Sequence, residues 1–130
     1  MPYSINIIKN DSNSSIEELI NTIREYDKTD LLLEISETNY NYADPFIIDY
    51  NNEIYIFFEK QDIKTNRGVI AFTKIKKFKN RIIFTEPETV LDNGRHVSFP
   101  YLFIENNEIF MLPEENKLKK LVLYKSYNFP

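Results

Sequence analysis

The chain reads as mainly β, with one N-terminal helix followed by two consecutive four-stranded repeats. Three observations carry that reading. The aromatic content of 15% comes entirely from 10 Phe and 9 Tyr, side chains that favour a pleated, half-buried surface. From residue 43 onward, short apolar runs alternate with turn signals. A run of 17 residues, 43–59, then recurs without a gap later in the chain.

Taken in order, Pro2 to Ile8 has the character of a short strand. Ser14-Ser15-Ile16-Glu17-Glu18 offers a capping box, a hydroxyl three residues before a Glu. Apolar residues follow at Ile16, Leu19, Ile20 and Ile23, so an amphipathic helix is expected over 15–27. The polar Asp27-Lys28-Thr29-Asp30 ends it, and Leu31 to Ile35 is apolar enough for a strand. Pro45 to Tyr50 and Glu53 to Glu59 flank Asn51-Asn52, a hairpin signal. With only 2 glycines in the chain, Asn must supply the tight turns, since it tolerates positive φ better than most residues. Gly68 to Ile75 and Arg81 to Thr85 form the next pair, joined by a basic turn, and Glu86-Pro87-Glu88 reads as a solvated loop.

The recurrence begins at Ser98 and runs to Glu114, displaced by 55 residues from Ala43 to Glu59. Pro45 aligns with Pro100, Asn51-Asn52-Glu53-Ile54 with Asn106-Asn107-Glu108-Ile109, and Glu59 with Glu114. Val69-Ile70-Ala71-Phe72 corresponds to Leu121-Val122-Leu123-Tyr124 as a third strand. A period near 55 with four strands per unit marks a β-propeller blade. The division is therefore 1–40, a strand and helix segment, and 41–130, two successive blades. The second blade stops after its third strand, at Tyr127-Asn128-Phe129-Pro130. Two blades cannot close a ring, so further C-terminal blades or homo-oligomer contacts are expected to cover the open faces.

The net charge of −4 and pI near 5.1 argue against a nucleic-acid binder. The basic run Lys74-Ile75-Lys76-Lys77-Phe78-Lys79 reads as a solvated strand end. Without cysteine, disulfides and thiolate metal sites are excluded. No segment has the length of a membrane span, and Met1 to Asn10 lacks the basic start and apolar run of a signal peptide. A cytoplasmic location is the expectation, with no cofactor and no metal, because neither a phosphate loop nor metal-ligand spacing is present.

If Asn51-Asn52 forms a two-residue turn, counting along the hairpin puts Asp44 opposite Glu59, and the second repeat puts Phe99 opposite Glu114. Facing carboxylates about 5 Å apart repel, so one of them should have a raised pKa. Such pairs serve general acid/base chemistry on glycosidic bonds. In a propeller the first strand of each blade lines the central channel, which places Asp44 at its mouth with Glu59, Glu114 and His96. Asp44 before Pro45 also reads as a turn opener. His96, the single histidine, also reads as a structural residue, and Arg67 as a solvated hairpin residue.

Tyr42-Ala43-Asp44-Pro45-Phe46, Glu53 to Glu59 and Arg67-Gly68-Val69-Ile70, followed by His96-Val97-Ser98-Phe99-Pro100-Tyr101-Leu102-Phe103 and Asn107 to Glu114, resemble one family. It is the N-terminal domain of glucosamine inositolphosphorylceramide transferases and their bacterial relatives. The resemblance covers about two thirds of the chain. It implies a five-bladed β-propeller of the arabinanase, levansucrase and invertase type, of which this chain holds about two blades. Family members are linked to making or modifying glycans and glycolipids. The resemblance puts Asp44 in the place of a catalytic aspartate and Glu114 in that of a candidate acid. Phe99 stands where related hydrolases carry a further carboxylate.

The leading reading is a carbohydrate-active propeller segment whose parent acts on a sugar or glycolipid headgroup by glycosyl transfer or hydrolysis. Asp44 and Glu114 are its acid/base candidates, with Glu59, His96, Ser98 and Tyr42 as substrate-binding or tuning residues. A second reading is a non-catalytic glycan- or protein-binding module in which Tyr42, Phe99 and Tyr101 stack on sugar faces. A third is an inactive truncated remnant.

Overall fold

The computed structural model describes residues 2–8, 31–78, 81–115 and 117–130. The helix expected over 15–27 lies outside these residues. Among the described residues every regular element is a strand.

Among the described residues ten strands form three sheets. β1 (Ile5–Ile8) and β2 (Leu31–Ile35) make an antiparallel pair. β3 (Tyr40–Tyr50), β4 (Glu53–Asp62) and β5 (Arg67–Phe78) run as an antiparallel meander, and β6 (Arg81–Phe84) and β7 (Glu88–Leu91) share the free edge of β5. β8 (Val97–Glu105), β9 (Glu108–Glu115) and β10 (Tyr124–Lys125) form the third sheet in the order β10-β9-β8.

The two Asn-Asn turns have the same conformation. Asn51 and Asn52 have φ of 54° and 61°, and Asn106 and Asn107 have 51° and 62°. Positive φ at both central residues defines the type I′ turn, whose twist matches that of paired strands. The repeat extends to an ion pair across the next strand. Lys74 pairs with Glu53, and Lys125 pairs with Glu108 at 2.5 Å.

Two sequence expectations need correction. Tyr124 pairs with Met111 as Thr73 pairs with Ile56, so the third-strand alignment is one residue out. Residues 121–123 lie before that short strand and are not part of it. The fourth strand is also divided: β6 pairs Ile75 to Phe78, β7 pairs Ile70 to Phe72, and Thr85 to Pro87 separate them. Pro87 has no N–H to give a ladder. Thr73 bridges the gap from the buried side, donating its hydroxyl to the Thr85 carbonyl at 2.5 Å.

The sheets stack in one direction. Ile56, Phe58 and Ala71 on one face of the central sheet pack with Ile5, Ile35 and Tyr42. Tyr55, Phe57, Ile70 and Phe72 on the other face pack against Val97, Leu102 and Ile109 of the third sheet. Ile56 and Met111 occupy equivalent repeat positions, and each turns towards the sheet that precedes it. The far face of the third sheet carries Tyr101, Phe103 and Phe110, whose rings contact one another at 6.0 and 5.4 Å.

This geometry makes the interface between the repeats a large store of stability. Phe57→Ala, which empties a buried ring from it, is expected to cost about 3–5 kcal/mol. Ile47→Ala, at an exposed position of β3, should stay within about 0.5 kcal/mol. Urea unfolding of both variants checks this.

Candidate functional site

The polar residues singled out from the sequence gather where β3 and β8 begin and β4 and β9 end. β3 and β8 each carry a β-bulge there. Ala43 pairs with Glu59 and Phe46 with Phe57, so Asp44 and Pro45 together face Phe58. Likewise Ser98 pairs with Glu114 and Tyr101 with Leu112, so Phe99 and Pro100 together face Pro113. Counting from the turns therefore fails by one residue. Asp44 is not opposite Glu59, and Ser98 rather than Phe99 is opposite Glu114.

The cause is local. A proline cannot donate to the ladder, and the strand absorbs it by placing an extra residue in the left-handed region. Asp44 has φ 52° and Phe99 φ 48°. Asp adopts this conformation readily, whereas a bulky ring does so at a cost of about 1–2 kcal/mol.

Glu59 lies at the centre of the group, 7% exposed, on the face of β4 that packs against the third sheet. Its Oε1 is 3.3 Å from Nε2 of His96 and has no hydrogen-bond partner among the described residues. Burial is the main cause that pushes its carboxyl above the ordinary range; His96 opposes the rise, and the charges of Asp44 and Glu114 add to it. The raised carboxyl anticipated from the sequence is thus Glu59, and desolvation outweighs charge repulsion in raising it.

His96 is held from its other side. The Gly68 N–H donates to Nδ1 at 3.0 Å, and the Asn66 carbonyl oxygen lies 3.3 Å from the same atom. The loop that carries His96 is pinned by a residue expected to be merely solvated. Arg67 donates two hydrogen bonds to Asp92, at 2.5 and 3.1 Å, and the Gly94 N–H adds a third at 3.0 Å. Chiefly through Arg67, the Asp92 carboxyl is held down at about 2.

Tyr42 is the candidate that the structure sets apart. It is buried on the opposite face with Phe58, and its hydroxyl donates to Glu37. Burial and that bond raise its phenol above the ordinary value. The same Glu37 accepts from Lys60 at 2.8 Å, and Lys60 sits 4.1 Å above the Tyr40 ring. By contrast Phe99 and Tyr101, 50% and 45% exposed, stand beside Phe46 with ring centres 6.2 and 5.3 Å from it. Ser98 is half-buried and Glu114 exposed.

Gly68, to which the sequence reading gave no role in the site, touches it through His96. It is one of only 2 glycines and lies inside a strand, a placement that often marks a close approach of other groups. A cleft of about 790 Å³ lies elsewhere, between the outer edge of the central sheet and β9–β10, and holds none of the candidate residues. Among the described residues no three His, Asp or Glu side chains converge closely enough to hold a metal ion.

The family model for the N-terminal region of glucosamine inositolphosphorylceramide transferase 1 matches residues 28–130. The chain belongs to that family. Glucosamine inositolphosphorylceramide transferase 1 of Arabidopsis thaliana is 36% identical over 88 residues, which cover 68% of this chain and 11% of the relative. The protein of the same name from Oryza sativa subsp. indica is 34% identical over 88 residues, covering 68% of this chain and 12% of the relative. The chain thus matches only a small part of the length of these curated relatives. No solved structure matches it.

A second buried carboxylate gives the pH behaviour a contrast. Glu115 is also 7% exposed. Burial raises its carboxyl, but bonds from Tyr124 at 2.6 Å, from Arg95 at 2.9 Å and from Asn93 at 3.0 Å outweigh it, and the result lies below the ordinary value. The signs are opposite. Glu59, raised, holds its proton longer in the folded state, so stability falls as pH rises from 4.5 through its folded value. Glu115, lowered, contributes stability above 4.5 that is lost as pH falls through its folded value. At pH 7, Glu59→Gln is expected to be neutral or stabilising by about 1 kcal/mol, and Glu115→Gln to destabilise by about 1–2 kcal/mol. Both differences should shrink towards pH 4 in urea unfolding measured across that range.

Proposed function

We propose that this chain is a sugar-handling segment of a β-propeller whose parent protein acts on a glycan or glycolipid headgroup by glycosyl transfer. The observation that carries the reading is the meeting of family membership with geometry. Two equivalent repeats each contribute acidic groups to one end of the inner strands, and Asp44 and Glu114 both act electrostatically on Glu59. The one-directional stacking of the sheets supports two blades of a five-bladed ring, with the Tyr101, Phe103 and Phe110 face as the seat of a following blade.

In this reading Asp44 and Glu114 are the acid/base pair. One takes the proton of the attacking hydroxyl, and the other donates to the leaving oxygen. Asp44 lies in the bulge, outside the paired ladder, and Ser98 beside Glu114 offers a hydroxyl to the same ligand. Glu59 and His96 tune the pair by charge. Tyr42, buried on the other face, has no part in contacting substrate.

The exposed rings of Phe99 and Tyr101 favour a second reading. An aromatic wall beside carboxylates is a stacking platform for a sugar face, and it needs no catalysis.

Turnover of a glycosyl donor and calorimetric binding of sugars, measured side by side, separate the two. For a catalyst, Asp44→Asn and Glu114→Gln should each lower turnover by about 10²–10⁴-fold with little change in Kd. For a binding module, wild-type turnover is absent, and Tyr101→Ala abolishes binding while Asp44→Asn leaves most of it.

A further inference from the structure

The group around Glu59 contains a residue whose contribution is the absence of a side chain. A Cβ built on Gly68 would lie 2.3 Å from Oε1 of Glu59, 3.0 Å from its Cδ and 2.8 Å from the carbonyl oxygen of Val97. The first contact is with a carboxylate confined by burial, and the last is with the backbone of β8. Neither can give way without moving the site. Gly94, not Gly68, is the glycine with positive φ, so space rather than backbone conformation requires glycine here.

The backbone of the same residue acts on His96. An amide N–H can only donate, so the 3.0 Å contact from Gly68 requires a lone pair on Nδ1. The ring proton must then sit on Nε2, the nitrogen 3.3 Å from Oε1 of Glu59. The competing contact, Nδ1 to the Asn66 carbonyl at 3.3 Å, would need a proton on Nδ1 and would set two N–H groups against each other. The amide decides the tautomer.

We propose that Gly68 is the positioning residue of this site: it seats the Glu59 carboxylate in the space a side chain would fill and holds His96 as the Nε2–H tautomer facing it. The pair Glu59 and His96 thus sets one ring N–H against Oε1, a buried oxygen with no hydrogen-bond partner among the described residues, at the base of the Asp44 and Glu114 cluster. Its place in sugar chemistry rests on the proposed function; the arrangement itself does not.

The single histidine makes the test clean. Long-range ¹H–¹⁵N spectra of the ¹⁵N-labelled full chain should show the Nε2–H pattern, with a coupling across the hydrogen bond from the Gly68 amide to Nδ1. In Gly68→Ala that coupling is expected to vanish, the ring to become a mixture of tautomers, and the Glu59 carboxyl ¹³C titration to move towards an ordinary midpoint. An Nδ1–H pattern in the wild type, or unchanged ring signals and Glu59 titration in Gly68→Ala, overturns the proposal. Should Gly68→Ala not fold, Glu59→Gln decides. The Nε2–H pattern persists there if the Gly68 amide sets it; its loss in a folded variant overturns the proposal. Sugar titrations that show no binding while these signatures stand would sink the sugar reading alone.

Discussion

Burial of one face of the central sheet against the third sheet is the interaction on which the rest depends. Phe57, Ile70 and Phe72 meet Val97, Leu102 and Ile109 there, and the hydrophobic gain from sealing such rings dominates the stability of a small β protein. The consequence for the site follows from strand alternation. Residues with the parity of Phe57 on β4 face the third sheet, and Glu59 is the next of them, carried to the rim of the interface where the apolar rows end. The start of β8 closes over that rim and sets His96 against Glu59. The polar cluster is what the packing leaves at its edge.

Among the described residues two carboxylates are buried, and they are resolved in opposite ways. Glu115 is surrounded by donors from Tyr124, Asn93 and Arg95, so its charge is satisfied in place. Glu59 has one imidazole at 3.3 Å and, among the described residues, no hydrogen bond to Oε1. A buried carboxylate with so little hydrogen bonding is costly to ionise, and perturbed groups of this kind cluster at functional sites. The contrast within one chain singles out Glu59: Glu115 holds β10 and the loop before β8 in place, while burial leaves the Glu59 carboxyl above the ordinary range.

Much of the fold was legible because its cues are short-range. Asn-Asn pairs without glycine specify type I′ turns through their tolerance of positive φ, and the recurrence of Pro45 and Asn51-Asn52 as Pro100 and Asn106-Asn107 marked the repeat. The membership of Asp44, Glu114, Glu59, His96 and Ser98 in one region was legible from the same alignment. Their pairing was not. Counting outward from a turn assumes an unbroken ladder, and the prolines that revealed the repeat are the residues that break it. The third strand slipped by one residue for a related reason: with two paired residues in β10, apolar similarity alone could not set its register. Tyr42 was misplaced because an aromatic beside a motif looks the same on either face of a strand.

The sequence by itself determined the long strands of the two hairpins, their turns and their repetition, since these follow from side-chain branching, backbone tolerance and alternation over a few residues. The tertiary structure alone decided which carboxylate is buried, which tautomer His96 holds and why residue 68 must lack a side chain. Those depend on distances between groups far apart in the chain, such as the 28 residues that separate Gly68 from His96. Only the closing of one sheet over another brings such groups within reach and removes the water that would otherwise level their differences.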